Sequence, residues 1–281
     1  MRWTHLFFSM MIIFIQACER SPRSALRSHP DISSRIVSLD FCADQFVLKL
    51  SDRKNIIALS PDATKDFSYM RNEAQGIATV RPRLEDVLLL KPDIVVQSYD
   101  RDPRSAQFFE RTGIKVIQIG YANDIADIEN VIRQTAIALG EENRGETVIS
   151  EMRGRLENIK KTGKPKSILY LTSKGAVAGK NTMIDSLIKA AGHKNFENSF
   201  GWRSLPLEKL AYQSPDIVAS GFFESGDLVT DRWTPARHSV ATRLLATTKT
   251  YSIPGAWTAC NSWSLVDVVE ELATLDSNDG P

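Results

Sequence analysis

Short apolar runs alternate with longer amphipathic segments along most of the chain. Apolar runs with little polar alternation are typical of strands buried on both faces of a parallel sheet. The segments between them carry apolar residues at helical spacing. In the first part of the chain the predicted strands are Arg35–Leu39, Asn55–Leu59, Asp93–Gln97 and Lys115–Ile119, and the predicted helices are Cys42–Leu50, Leu84–Leu90 and Pro103–Thr112.

This alternation is interrupted once and then resumes. A helical stripe covers Asp124–Leu139, Gly140 interrupts it, and the charged segment Glu141–Lys161 follows, which as a helix would span about 30 Å. No strand is predicted in this region. Beyond Pro165 the predicted strands are Lys166–Leu171, Asp216–Ser220 and Thr250–Ile253, and the predicted helices are Thr182–Ala191, Leu207–Gln213 and Ser262–Leu275.

One phrase occurs twice in the chain. RLEDVLLLKPDIVV begins at Arg83 and PLEKLAYQSPDIVA begins at Pro206, and the shared Leu-Glu and Pro-Asp-Ile-Val are offset by 123 residues, from Leu84 to Leu207. Pro-Asp ends a helix and starts a strand for local reasons, so the phrase alone is a weak signal. Because the order of the surrounding elements also repeats, the pattern predicts two similar α/β lobes joined by one long helix. A solenoid would need at least three copies.

The N-terminus predicts export. One early Arg is followed by an apolar run from Leu6 to Ile15, which is too short to span a bilayer as a helix. The sequence Ile-Gln-Ala-Cys that ends at Cys18 resembles a bacterial lipobox and favours lipidation of Cys18, with cleavage by ordinary signal peptidase as the alternative. The predicted organisation is a signal peptide (1–17), a tether (18–34), an N-terminal lobe (35–122), a helical linker (123–164), a C-terminal lobe (165–276) and a tail (277–281).

The composition and motifs of the chain argue against several classes of function. A formal net charge of +1 is not the basic surface that nucleic-acid binding requires. Of the four histidines, His5 and His29 precede the predicted lobes, so we expect neither a His-rich metal site nor a Ser-His-Asp set. The sequence also lacks the glycine-rich motifs of nucleotide-binding loops. We therefore expect no catalysis and no cofactor, and keep a two-lobed α/β enzyme as the weaker alternative.

With Leu-Glu and Pro-Asp-Ile-Val in each lobe and a strand-free linker between them, the chain resembles the periplasmic binding proteins that deliver cobalamin and ferric siderophores to ABC importers. The resemblance covers about Arg35 to Leu275. It implies two Rossmann-like lobes with parallel sheets joined by a single long backbone helix. It also implies a monomer that passes its ligand to a dimeric permease with ATPase subunits, with Glu85 and Glu208 docking onto basic permease residues. The alternative is that each glutamate only stabilises its own helix, because the helix dipole favours a negative charge in the first turn.

Ligands of open α/β sheets bind beyond the carboxyl ends of the strands. We expect aromatic and cationic side chains there to contact a large, flat metal chelate such as a corrinoid or ferric siderophore. The expected ligand residues are Phe41, Arg81, Tyr99, Lys180, Trp202, Arg203, Phe222 and Trp257. Trp202 resembles a cleft Trp of the family. Thr79, at the equivalent position of the first lobe, departs from the aromatic expected for cobalamin, so cobalamin, haem and siderophores all stay open.

If Cys18 carries lipid, Cys42 and Cys260 remain. An oxidising compartment permits a disulfide between them beside the cleft, and two separate buried thiols are the alternative. We interpret the protein as an exported, periplasmic and lipid-anchored substrate-binding component of an importer. The alternative within the same fold is a ligand-sensing lipoprotein without a transport role.

Overall fold

The computed structural model describes residues 34–99, 103–160, 164–172, 174–221 and 238–275, which lie within one compact unit. The predicted signal peptide, the tether up to residue 33, Cys18, Phe222 and the C-terminal tail lie outside the described residues. Those predictions therefore stay predictions.

The first lobe is a four-stranded sheet with helices on both faces. The strands are ordered β2-β1-β3-β4, and every neighbouring pair is parallel. Its elements are β1 (Ile36–Ser38), α1 (Phe41–Leu50), β2 (Ile56–Ala58), α2 (Leu84–Leu89), β3 (Ile94–Ser98), α3 (Pro103–Arg111) and β4 (Lys115–Ile119). The apolar pattern predicted each of these elements to within two residues at either end.

Two helices connect the lobes, α4 (Ile125–Leu139) and α5 (Glu142–Glu157). The Asp124 side chain caps the start of α4, and Gly140 ends it in the left-handed conformation at φ 77°. Glycine adopts this conformation without the steric penalty of a side chain. The backbone helix α5 ends at Glu157 rather than at Lys161, so it is shorter than predicted.

The second lobe repeats the strand order of the first and adds a ribbon. Strands β7, β5, β9 and β10 are parallel neighbours in that order, which matches β2-β1-β3-β4. The antiparallel ribbon β6–β8 extends from β5 and was not predicted. The elements are β5 (Ser167–Thr172), β6 (Ala176–Ala178), α6 (Met183–Ala190), β7 (Lys194–Asn195), β8 (Trp202–Ser204), α7 (Leu207–Tyr212), β9 (Ile217–Gly221), α8 (Ser239–Thr247), β10 (Lys249–Ser252), α9 (Gly255–Thr258) and α10 (Leu265–Thr274).

The repeated phrase folds identically in the two lobes. Helices α2 and α7 and strands β3 and β9 begin and end at the same offset of 123 residues. The aspartate of each Pro-Asp pair accepts a hydrogen bond from a backbone N–H at the neighbouring strand: Arg35 donates to Asp93 at 2.8 Å, and Ser167 donates to Asp216 at 2.6 Å. Pro-Asp-Ile-Val therefore starts one strand and ties it to the next.

The lobes share one apolar core. In each sheet, every second residue packs into an apolar cluster on the outer face of its own lobe. The cluster of the first lobe contains Phe109, and the cluster of the second lobe contains Leu244. The opposite faces join a single cluster that includes side chains of α1, α4, α5, α6 and α10. A hinge motion that separates the lobes would expose this core to water, so the shared cluster resists wide opening.

Polar contacts also tie the linker to both lobes. At the first lobe, Arg144 of α5 donates to Asp52 at 2.5 Å. At the second lobe, Arg155 donates to Asp267 of α10 at 2.5 Å. The hydroxyl of Tyr69, from the first lobe, donates to the same Asp267 at 2.7 Å, and burial together with this hydrogen bond raises the pKa of Tyr69 to about 12. One carboxylate thus holds the linker and both lobes together.

Candidate ligand-binding cleft

The carboxyl ends of the strands of both lobes border a cleft with two adjoining cavities. The first, of about 600 Å³, is lined mainly by the first lobe, and the second, of about 720 Å³, mainly by the second lobe. Tyr121 and Asn261 line both cavities and mark their junction. Each cavity alone has the volume of a small-molecule site, so together they suit a larger ligand.

Asp40 organises the wall of the first cavity. It caps α1, because its Oδ1 atom accepts a hydrogen bond from the Ala43 N–H at 2.9 Å. Its Oδ2 atom accepts from the Ser98 N–H at 2.8 Å, and the Ser98 hydroxyl also donates to this carboxylate. The end of β3 and the start of α1 are therefore held together, which fixes the neighbouring ring of Phe41 at the cavity.

Aromatic rings form much of the cleft surface. Tyr99 and Tyr121 meet edge-to-face with ring centroids 4.7 Å apart, and each is about half exposed. In the second cavity Trp202, 51% exposed, meets the edge of Tyr170 at 6.0 Å. Half-exposed aromatic rings of this kind leave apolar area for a ligand to bury.

Gly221 makes room for the aromatic wall of the second cavity. A Cβ atom at this position would lie 1.8 Å from the hydroxyl oxygen of Tyr170 and 2.5 Å from its Cζ atom. Burial raises the pKa of Tyr170, so its phenol stays neutral. A side chain at residue 221 would therefore displace the ring that supports Trp202.

The remaining lining is polar and nearly uncharged. Amide and hydroxyl groups surround the second cavity and its junction with the first: Asn123, Thr172, Asn181, Thr182, Thr258 and Asn261. Among the described residues that line the two cavities, Asp40 and Lys174 are the charged side chains. Within the same described ranges, no group of three or more His, Cys, Asp or Glu side chains is arranged to hold a metal ion. The cleft suits a ligand with amide or hydroxyl groups around an apolar body.

A disulfide crosses from one lobe to the other at the first cavity. Cys42, at the start of α1, is bonded to Cys260, which follows α9, with Cα atoms 5.6 Å apart. The Gln45 amide donates to the Cys260 sulfur at 3.2 Å, and the Asn261 amide donates to the Ala122 carbonyl at 2.7 Å. The segment after α9 is therefore fastened to the first lobe where it borders the cavity.

The structure brings together only some of the ligand residues expected from the sequence. Phe41, Tyr99 and Trp202 line the cleft cavities. The residues that do not line them are Arg81, Lys180, Arg203 and Trp257, and Phe222 lies outside the described residues.

Each of these four residues has a different position. Arg81 is exposed before α2, and Lys180 lines a separate cavity on the second lobe. Arg203 follows Trp202 in β8, so its side chain points to the opposite face of that strand. Trp257 packs partly buried against the shared core.

Several cleft residues were missing from the prediction. Thr258 and Asn261 lie one and four residues beyond Trp257, further from the end of β10 than the residues that the strand-end rule selects. Their proximity to Cys260 was the available clue, since a disulfide beside the cleft would bring its neighbours to the same wall. Tyr121 is the second residue after β4 and fits the strand-end rule, although it is not among the expected contacts.

Glu85 and Glu208 occupy equivalent places in the first turns of α2 and α7. Both side chains are exposed. Among the described residues neither carboxylate has an ion-pair partner within 4.0 Å, so both are available to an external cation. Neither residue lines the cleft cavities.

Comparison with known proteins agrees with this architecture. Residues 36–220 match the family model described as periplasmic binding protein. A relative named cobalamin-binding protein, from Halobacterium salinarum, is 27% identical over 210 residues, which are 70% of this chain and 55% of that protein. This chain thus spans about half the length of that curated relative. An uncharacterized ABC transporter substrate-binding lipoprotein of Bacillus subtilis is 21% identical over 216 residues, covering 66% of this chain and 68% of the relative.

Solved structures show the same two-lobed fold. The periplasmic heme-binding protein HutB of Vibrio cholerae superposes with a TM-score of 0.69 at 20% identity, covering 86% of this chain and 98% of HutB. In the part of the chain that the structure describes, no helix combines the length and apolar character needed to cross a bilayer.

Proposed function

Because the chain belongs to the periplasmic binding protein family, we propose that it is the substrate-binding component of an ABC importer and carries a metal chelate in its cleft. The ligand class that suits the cleft best is a corrinoid. The observation that carries this proposal is the pair of adjoining cavities, which combine aromatic rings with amide and hydroxyl groups and hold few charges. No step of this function requires catalysis by the chain.

The charge of the cleft separates the candidate ligands. A corrinoid has a flat metal-bearing ring and peripheral amides, which can stack on Trp202 and Tyr121 and hydrogen-bond to Asn123 and Asn261. A strongly anionic ferric siderophore would need several cationic partners, and Lys174 is the cationic side chain among the described lining residues. The cobalamin-binding name of the archaeal relatives also favours a corrinoid, although Thr79 still departs from the expected aromatic.

Ligand titration tests the substrate class. The purified chain would be titrated with cyanocobalamin, hemin, a ferric hydroxamate and a ferric catecholate, and followed by ligand absorbance and tryptophan fluorescence. We expect saturable 1:1 binding of cyanocobalamin and quenching of Trp202. Saturable binding of a siderophore without binding of cyanocobalamin would reassign the ligand, and binding of none would contradict chelate capture.

Transport requires a partner, and the proposed contact points are Glu85 and Glu208. Each exposed carboxylate would pair with a basic residue on one subunit of a dimeric permease, since a two-fold partner presents the same patch to both lobes. Charge reversal at both positions should abolish uptake and leave ligand affinity unchanged. Glu110→Lys, an exposed glutamate on α3, is the matched control.

The same experiment separates transport from sensing. A ligand-sensing lipoprotein of this fold would bind ligand equally well, yet uptake in the cell would not depend on Glu85 or Glu208.

We propose an exported, periplasmic protein held at the membrane by lipid on Cys18. Metabolic labelling with a fatty acid tests the anchor: label should be lost in the Cys18→Ser variant.

A further inference from the structure

Among the described residues, the two most exposed large apolar side chains lie on α2 and α7, the helices that carry Glu85 and Glu208. Leu89 is 80% exposed and Tyr212 is 91% exposed, ahead of every other large apolar residue among those described. The next, Phe200, is 69% exposed. Single exposed apolar residues are common on protein surfaces and need no explanation, so the relation between these two positions decides whether they matter.

Leu89 and Tyr212 occupy equivalent positions of the duplicated lobes. They are separated by the same 123 residues as Glu85 and Glu208, and they are the last residues of α2 and α7. Each follows its glutamate by four residues, so the two side chains lie on the same side of the helix and about 6 Å apart along its axis. Each lobe therefore presents an exposed carboxylate beside an exposed apolar side chain.

The positions next to the two glutamates carry side chains of opposite charge in the two lobes. Asp86 of α2 corresponds to Lys209 of α7, a reversal of charge. Lys209 is also turned to its own lobe, because its ammonium group donates to the Phe196 carbonyl at 2.5 Å and lies 4.0 Å from the centre of the Phe196 ring. The chemistry that both lobes share and expose is the carboxylate and, one turn later, the large apolar side chain.

We propose that Glu85 with Leu89, and Glu208 with Tyr212, form a paired docking face. Its partner is a two-fold symmetric membrane protein that presents a cationic side chain next to an apolar one on each subunit. This inference rests on the proposed function and extends it. The carboxylate supplies orientation through charge complementarity, and the apolar side chain supplies the buried contact that salt does not screen.

Site-specific photo-cross-linking tests the face without knowledge of the ligand. Benzoylphenylalanine would replace Leu89 or Tyr212 in the full chain within cells of the source organism, and adducts would be identified by mass spectrometry. Ile137, 54% exposed on α4, is the matched control position. We expect adducts to the membrane subunit of an ABC importer from both docking positions, at about ten times the yield from Ile137. Equal yields at the three positions, or a cross-linked dimer of this chain, would overturn the inference.

Transport of the serine variants gives the second measurement. Leu89→Ser with Tyr212→Ser should lower uptake of labelled cyanocobalamin about tenfold, and Ile137→Ser should leave it unchanged. The purified serine variant should bind cyanocobalamin like the parent chain, since neither residue lines the cleft cavities. Wild-type uptake by this variant would overturn the apolar contribution.

Cross-links from position 85 show whether the apolar docking face alone is wrong or whether the proposed transport function is wrong. Adducts to an importer subunit from benzoylphenylalanine at Glu85, with none from residues 89 and 212, would retain the docking glutamates and refute the apolar face alone. The absence of importer adducts from all of these positions would refute the proposed transport function itself.

Discussion

Removing the disulfide between Cys42 and Cys260 is expected to destabilise the protein strongly. The two cysteines are 218 residues apart in sequence, so their cross-link closes most of the folded chain into one loop. The chain entropy that such a loop removes from the unfolded state corresponds to about 5 kcal/mol at room temperature. This is a large share of the stability of a typical domain.

The loss should appear as a lower melting temperature without loss of the fold. The lobes also share an apolar core and the contacts of Asp267, so their packing does not depend on the cross-link alone. For a chain of this size each kcal/mol shifts the melting temperature by about 2–4 °C, which predicts a decrease of about 10–20 °C. The Cys42→Ser/Cys260→Ser variant should therefore still fold, and its melting temperature should be lower than that of the wild type.

Thermal unfolding followed by circular dichroism measures the decrease. The wild-type chain would be compared before and after reduction, with alkylation and mass measurement to verify that reduction frees two thiols. Reduced wild type and the double serine variant should melt together, because both lack the cross-link. If wild type with both thiols free melts at the temperature of the oxidised chain, the cross-link does not stabilise the fold and the reasoning is refuted.

Three further changes test the cleft and the fold. Trp202→Ala should weaken ligand binding about tenfold in a fluorescence or absorbance titration without lowering the melting temperature, because the ring is half exposed and lines the cavity. Burial raises the pKa of Asp44 from 3.8 to about 6, although hydrogen bonds from Ser60 oppose the shift. Because the protonated form is favoured in the folded state, the contribution of Asp44 to stability is complete below about pH 4 and is lost as the pH rises through 6. Asp44→Asn should remove this decline in urea unfolding, because an amide does not titrate in this range, and an unchanged pH slope would contradict the assignment. Asp216→Ala should cost about 1–2 kcal/mol in the same assay by removing the acceptor of the Ser167 N–H, and wild-type stability would show that this bond contributes little.

The fold could be predicted from the sequence where local patterns determine it. Apolar runs gave the strands, and Pro-Asp gave the helix-to-strand junctions at both copies of the phrase. The β6–β8 ribbon does not follow from the apolar pattern, because β8 (Trp202–Ser204) is exposed along its whole length and β6 lies between Gly175 and Gly179. The helix α8, over Ser239–Thr247, was also missed. It contains three threonine or serine residues, which have modest helix propensity.

The site was harder to predict because it depends on distant parts of the chain. The strand-end rule identified Phe41 and Tyr99, which follow parallel strands. It does not apply to Lys180, which follows β6, a strand that is antiparallel to β5. Periodicity also cannot show which of two adjacent residues in β8 faces the cleft, so Arg203 was grouped with Trp202. The bond between Cys42 and Cys260 depends on tertiary structure alone.

The outer helices and the cleft walls of the molecule differ in symmetry, and the proposed partners would account for this difference. Helices α2 and α7 and strands β3 and β9 keep one offset throughout, so the lobes present equivalent outer helices. The cleft walls have diverged: the second lobe adds the β6–β8 ribbon, and the segment around α9 inserts Asn261 beside the first lobe. A two-fold permease would require the same chemistry from both lobes, whereas a ligand without two-fold symmetry places no such requirement on the walls that enclose it. Under the proposed function, a duplicated chain can therefore keep the repeated phrase twice while each half of its cleft specialises for a different side of the ligand.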